Sequence, residues 1–142
     1  MKILSRPDKV IADANCILSA VCGHAALRIF TETHLRVVAT EFNLQEVKRY
    51  LPKMSRKYRI SEAVLLAQLE LIRRGLEIRE KPFYESQLTK AEQMIGDRDP
   101  GDIDLVALAL QTGLPIWSND KDITSLPLQT ANTAELLRMF GL

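Results

Sequence analysis

No two apolar runs in this chain are joined by a hairpin turn. Each candidate strand is separated from the next by a stretch of helical periodicity, and that alternation restricts the fold to a parallel sheet covered by helices on both faces. Lys9 to Ala12 gives β-branched residues running into Asp13, and from Asn15 the residues Cys16, Ile17, Ala20 and Val21 recur at helical spacing. Ala25 to Thr33 continues as a helix. Leu35 to Ala39, apolar but for Arg36, reads as a strand buried on both faces, and Thr40 can cap the helix that follows. That helix is expected from Glu41 to beyond Tyr50, with Phe42, Val47 and Leu51 inward and a kink or break at Pro52.

Ser61 and Glu62 open a further helix, in which Val64, Leu65, Gln68, Leu69 and Ile72 trace a stripe ending at Arg73, Arg74 and Gly75. Leu76 to Arg79 is a weak third strand, and Glu85 to Ile95 is read as a helix. Ile103 to Gln111 is strongly helical, Gly113 ends it, and Pro115 to Trp117 restarts a strand. A short strand near Leu128 to Thr130 and a helix from Thr133 to Phe140 complete the pattern.

At 142 residues, 46% of them hydrophobic, the chain is expected to form a single domain, 1–142, with a core that needs no disulfide or metal staple. Cys16 and Cys22 read as reduced thiols serving as small hydrophobes. The longest uncharged stretch, Leu105 to Asn119, is too short for a membrane span and contains Gly113 and Pro115. Met1 to Pro7 offers too little apolar sequence for a secretory signal, so a cytoplasmic protein with no membrane partner is expected.

Ligands of open parallel sheets bind beyond the carboxyl ends of the strands, which makes the residues just after each strand informative. Asp13 follows the first strand, Glu46 lies in the helix after the second, Asp102 starts the helix before the fourth, and Asp120 lies just beyond that fourth strand. Asp99, Asp104 and Asp122 are further candidates nearby. Singly, Asp13 and Asp102 are good helix caps and Asp120 and Asp122 good turn formers. Together on one edge of a sheet they repel, and a divalent cation removes that cost. Clustered carboxylate oxygens suit Mg²⁺ or Mn²⁺, whereas zinc wants His or Cys, and His24 and His34 share no helical register.

Val10-Ile11-Ala12-Asp13-Ala14-Asn15 with Ile17-Leu18-Ser19-Ala20, then Leu44-Gln45-Glu46-Val47, then Asp99-Pro100-Gly101-Asp102 leading into Ala107-Leu108-Ala109, then Ile116-Trp117-Ser118-Asn119-Asp120, resembles a PIN-domain ribonuclease, in order and approximate spacing. The resemblance spans about Val10 to Ile123. It implies a three-layer α/β/α sandwich around a parallel sheet and a Mg²⁺- or Mn²⁺-dependent endoribonuclease, often the toxin of a toxin–antitoxin pair. Carried over, Asp13, Glu46, Asp102 and Asp120 are the four acids, with Asp13, Asp102 and Asp120 as metal ligands and Glu46 as ligand or water-positioning base. Asn15 and Ser118 match the supporting polar residues. Asp102 is preferred to Asp99 and Asp104 as third acid because of its spacing to Ala107 and Ala109.

Between Lys48 and Arg74 eight basic residues face two acidic ones, while Glu85 to Asp104 holds six acids and two bases. A basic arm beside an acidic pocket suits phosphate-backbone binding, with Arg56, Lys57 and Arg59 as candidate contacts and Tyr50 and Tyr58 as candidate stacking residues. The expected partners are RNA, an antitoxin protein and a second copy of the chain. Two rival readings are a catalytically inactive interaction module of the same fold and a metal-dependent phosphatase using Asp13 as nucleophile. The second is disfavoured by Asn15, which stands where a second Asp is usual.

Overall fold

The computed structural model describes residues Met1–Leu142. Strands β1 (Lys9–Ala12), β2 (Arg36–Thr40), β3 (Leu76–Arg79), β4 (Ile116–Trp117) and β5 (Thr130–Ala131) form one sheet, parallel throughout, in the order β3-β2-β1-β4-β5. The helices are α1 (Ala14–Val21), α2 (Leu27–Glu32), α3 (Glu41–Tyr58), α4 (Glu62–Arg74), α5 (Lys81–Tyr84), α6 (Leu88–Ile95), α7 (Ile103–Thr112), α8 (Lys121–Thr124) and α9 (Thr133–Met139).

Successive strand residues point to opposite faces, and both faces are covered. Val10, Ala12, Val37 and Ala39 pack under α1 to α4 and α9, while Ile11, Val38 and Ile116 pack under α5 to α8. This is the three-layer α/β/α arrangement, and it explains why the interiors of β1 and β2 carry no polar alternation, unlike the edge strand β3, where Glu77 and Arg79 alternate with Leu76 and Ile78. Trp117 is fully buried, and its indole N–H donates to Thr133 Oγ1 at 2.9 Å, so the largest side chain of the core also fixes the start of α9. The outer edge of β5 is covered by the first residues of the chain, Ile3 N–H donating to the Thr130 carbonyl at 3.2 Å. No helix is long and apolar enough to cross a membrane.

From β1 the chain moves outward to β2 and β3, then crosses back to β4 and β5 on the other side. The strand order therefore reverses between β1 and β4, and the loops after those two strands diverge to leave a crevice.

Four expectations for the elements need correction. Helix α3 runs through Pro52 without a break: the proline removes one ladder hydrogen bond, while buried Leu51 before it and Met54 after it, packed against the same core, hold the helix on either side. Phe42 is only half-buried on the flank of α3, with Lys81 Nζ 5.7 Å from its ring, and Asn43 and Leu44 take the inward positions. In α4, Val64 is exposed and the buried stripe is Leu65, Leu69 and Ile72. The helix expected over Glu85 to Ile95 is a 3₁₀ turn, Glu85–Gln87, followed by α6.

Candidate functional site

Asp13 leaves β1 in extended conformation and caps α1, its Oδ1 accepting from the Cys16 N–H at 2.8 Å. Its Oδ2 accepts from the Ser118 hydroxyl, and Ser118 Oγ in turn accepts from the Asp120 N–H at 3.0 Å, so the loops after β1 and β4 are tied through one buried carboxylate. Burial pushes the Asp13 carboxyl above the usual range, against the opposing hydrogen bonds from Ser118 and Cys16. The capping role is thus real, and it coexists with a place in the crevice.

After β2, Thr40 caps α3 by accepting from the Asn43 N–H at 2.9 Å and donates its hydroxyl to Asn43 Oδ1 at 2.7 Å. The buried Asn43 amide then donates to Glu46 Oε1 at 2.9 Å and reaches the Gly101 carbonyl at 3.4 Å. Asn43 therefore orients Glu46, a role that reading the sequence by apolarity missed; the signal was the spacing of three from Thr40 to Asn43 to Glu46, which puts all three on one side of a helix start. Burial pushes the Glu46 carboxyl up, against the Asn43 hydrogen bond.

Asp99-Pro100-Gly101-Asp102 forms a tight turn. Asp99 Oδ1 accepts from the Gly101 N–H at 2.9 Å, and Pro100–Asp102 is a 3₁₀ turn leading into α7. The side chain of Asp102 makes no capping bond to α7, which leaves its carboxylate unengaged by backbone. A Cβ at Gly101 would stand 3.1 Å from Asp99 Oδ1 and 3.5 Å from Glu46 Oε2, so glycine here lets two carboxylates approach the same space. Carboxylate oxygens of Asp99, Asp102 and Asp120 lie within 4.8 Å of one another. The carboxyl of Asp102 is pushed up to about 8, first by burial, then by the charge of Asp99, with Asp13 and Asp120 adding to it.

Asp13, Asn15, Glu46, Asp99, Asp102 and Asp120 all line one cleft of about 160 Å³, together with half-exposed Tyr50. The four acids expected from the sequence are brought together, and Asp99 joins them. Asp104 is not: two residues beyond Asp102 it is buried, accepting from the Tyr84 hydroxyl at 2.5 Å with Lys81 Nζ at 3.6 Å. Asp122 lies outside the cleft and its N–H donates to Asp120 Oδ1 at 2.9 Å. Ser118 acts beneath the cleft through Asp13. Arg56, Lys57 and Arg59 are exposed at the far end of α3, Arg59 in left-handed conformation with φ 55°, and Lys57 lies about 16 Å along the helix axis from Glu46. Neither histidine reaches the cleft; His24 meets Tyr58 edge-on at 4.8 Å. A wider groove of about 660 Å³ contains Lys9, Arg36, Glu77 and Arg79, but Glu77 already pairs with Lys9 at 3.0 Å and Arg79 at 3.7 Å.

Packed acids without a cation leave a pH signature. Between its ordinary value of 3.8 and about 8, Asp102 holds a proton in the folded chain that the unfolded chain has released, so the unfolded state binds fewer protons and stability falls as pH rises. The contribution is fully present below about pH 4 and lost as pH passes about 8, with Asp13 and Glu46 shifted in the same direction. Thermal melting in EDTA is expected to show this decline, and Asp102→Asn to flatten it. A melting temperature independent of pH in both proteins would contradict the crowding of these acids.

A family model described as PIN domain matches residues 11–140. The chain belongs to the PIN domain family. Several solved structures share its fold at low sequence identity. PAE2754 of Pyrobaculum aerophilum superposes with a TM-score of 0.71 at 14% identity, covering 94% of this chain and 96% of that one. VapBC2 of Rickettsia felis, bound to a DNA fragment from its promoter, gives 0.64 at 16%, covering 87% and 98%. Mycobacterium tuberculosis VapC20, described as a sarcin–ricin loop cleaving toxin, gives 0.56 at 15%, covering 82% and 93%. No curated protein matches by sequence. In this PIN-domain chain the acids and the strand-order reversal occupy the same edge of the sheet.

Proposed function

We propose that this PIN-domain chain is a single-domain endoribonuclease whose carboxylate cleft uses Mg²⁺ or Mn²⁺ to hydrolyse RNA phosphodiesters. The observation that carries the reading is the meeting of Asp99, Asp102 and Asp120 oxygens within 4.8 Å, with Asp13 and Glu46 lining the same cleft. The donor set fits such an ion: all oxygen, several charges, no His or Cys, and a glycine that keeps the space between carboxylates open. Asp102 and Asp120 would hold it with Asp99, and Asp13 retains further lone-pair sites beside its bonds to Cys16 and Ser118. A bound divalent ion supplies Lewis-acid activation of water and stabilisation of developing charge.

The remaining work falls to side chains of this chain. Glu46, with its carboxyl raised by burial and its Oε1 fixed by Asn43, is the group suited to accept a proton from the attacking water. Ser118 and the Cys16 N–H hold Asp13 in one rotamer, and the Ser118 hydroxyl passes that constraint to Asp120 through its backbone. No protein nucleophile is needed. The phosphatase alternative asks for a free carboxylate at Asp13, whereas both its oxygens are engaged and it is 3% exposed.

RNA as substrate is supported by the basic arm of α3 and by the described activity of the similar VapC20 structure. On the likeness to VapBC2 and VapC20 we extend the reading to a cytoplasmic toxin restrained by an antitoxin protein, active as a monomer or as a homodimer. Purified chain incubated with structured and single-stranded RNAs should cleave with Mg²⁺ or Mn²⁺ and stop with EDTA; no cleavage under any of these conditions would favour the inactive interaction module.

The basic arm has its own test. Changing Arg56, Lys57 and Arg59 together to Gln is expected to weaken RNA binding and to make the slope of log K against log salt shallower by about 2, three contacts at about 0.7 each for single strands. An unchanged slope would return these residues to a solvated helix end.

A further inference from the structure

Seven of the eight aromatic side chains have a partner inside the chain. Phe30 packs on Trp117 with centroids 5.7 Å apart, Tyr58 meets His24 at 4.8 Å, and the Tyr84 hydroxyl donates to Asp104. Phe42, Phe83 and Phe140 lie beneath Lys81, Arg79 and Arg6 at 5.7, 4.9 and 5.2 Å. Tyr50 alone has no aromatic, cationic or hydrogen-bonded partner. It is 45% exposed, and it lines the cleft that holds the acids.

Its position on α3 is one turn beyond Glu46. Lys53 and Lys57 follow at the spacings that keep them on the same side of the helix as Glu46 and Tyr50, so a stripe leads from the cleft along α3. Lys53 is exposed and takes part in no ion pair. A cleft of carboxylates does not draw in a polyanion unaided. A neutral ring that binds a base by its face, with an unpaired ammonium a turn further on, provides attraction where the acids provide none.

We propose that Tyr50 is a substrate-positioning residue that stacks on the nucleobase next to the scissile phosphate, with Lys53 on a neighbouring phosphate. This rests on the ribonuclease reading and adds to it a condition on the substrate: the nucleotide beside the cleavage point is unpaired, because a base inside a duplex offers no free face. Tyr58 is excluded from this role by its engagement with His24 and by Lys57 Nζ, 5.3 Å from its ring.

The test is binding of a single-stranded oligoribonucleotide carrying 2-aminopurine, to the full chain in EDTA, so that nothing is cleaved. Wild type is expected to quench the fluorophore. Tyr50→Ala should abolish the quench and weaken binding about ten-fold or more, the range found when a base-stacking aromatic is removed. Tyr50→Phe should restore both to within about two-fold of wild type, since the ring face is kept, and Tyr58→Ala should leave the quench intact. With Mn²⁺ present, Tyr50→Ala should raise KM about ten-fold while kcat changes little, and its melting temperature should match wild type. The proposal is overturned if Tyr50→Ala binds and quenches like wild type, if it weakens a blunt duplex as much as the single strand, or if wild type binds no single strand. Quenching that depends on Tyr50 without cleavage in Mn²⁺ would overturn the ribonuclease reading and leave the base contact standing.

Discussion

Asp102→Asn is expected to lower metal-dependent RNA cleavage by about a hundred-fold or more, the consequence of removing several kcal/mol of charge stabilisation at a reacting phosphate. Asp104→Asn is expected to stay within about ten-fold of wild type, the lower end of what loss of a supporting contact costs. The two residues lie on the same helix start, and only their surroundings separate them. Asp102 makes no capping bond, sits among Asp99, Asp13 and Asp120, and has its carboxyl pushed up to about 8. Asp104 is held by the Tyr84 hydroxyl, and an amide oxygen can accept that same bond. Its ion pair with Lys81, whose side chain is 53% exposed, adds little in solvent. Parallel initial rates of wild type and both variants in Mn²⁺, normalised to folded protein by circular dichroism, give the ranking. A reversed ranking would move the third acid to Asp104; two unaffected variants would remove the carboxylate cleft from the reaction.

Asp13→Ala is expected to lose about 2–4 kcal/mol of stability, while Asp13→Asn stays within about 1 kcal/mol of wild type. The alanine removes the cap of α1, worth roughly 1 kcal/mol, and leaves the buried Ser118 hydroxyl without its acceptor, a further cost of about 1–3 kcal/mol. Asparagine keeps a capping oxygen for the Cys16 N–H, and its amide can donate to Ser118 Oγ once that hydroxyl turns. It also removes a carboxylate that burial disfavours, which acts toward stability. Binding of an ion to the folded state alone adds RT ln(1 + [L]/Kd), about 2.7 kcal/mol at a hundred times Kd, so Mn²⁺ should raise the melting temperature of wild type and do so far less for Asp13→Asn. Thermal melting of the three proteins in EDTA and in Mn²⁺ decides between the roles. Equal Mn²⁺ responses in all three, with only the alanine variant destabilised, would make Asp13 a cap that joins two loops and takes no part in holding metal.

Much of this architecture leaves a local trace in the residues. Val10, Ile11 and Ala12 lack polar alternation because each neighbouring face of β1 is covered, and Ser61, Gly75 and Gly113 mark helix ends that the structure keeps. Most strand positions followed from such marks, although the last strand, expected near Leu128 to Thr130, lies at Thr130–Ala131; the grouping of Asp13, Glu46, Asp102 and Asp120 at one edge followed from the strand ends. In α3, Val47 and Leu51 face inward as expected, but at its start Asn43 and Leu44 are buried in place of Phe42. Asn43 is a buried amide whose polar atoms are satisfied by Thr40, Glu46 and Gly101, and a buried polar residue looks solvent-facing until its partners are known. The persistence of α3 through Pro52 likewise depends on packing that lies outside the helix.

Tertiary structure alone decided which oxygens share a site. Asp99, Asp102 and Asp104 are neighbours in the chain and chemically alike, so composition and spacing rank them weakly. Two residues on an α-helix differ by about 200° around its axis, which is why Asp102 at the start of α7 turns to the cleft while Asp104 turns to Tyr84 of the neighbouring α5. The same geometry places Tyr50 beside the acids and carries Arg56, Lys57 and Arg59 away from them along α3. The sequence determined that acids follow the carboxyl ends of the strands; the strand order, which reverses between β1 and β4, and the angle at which each helix leaves that edge determined which of them meet.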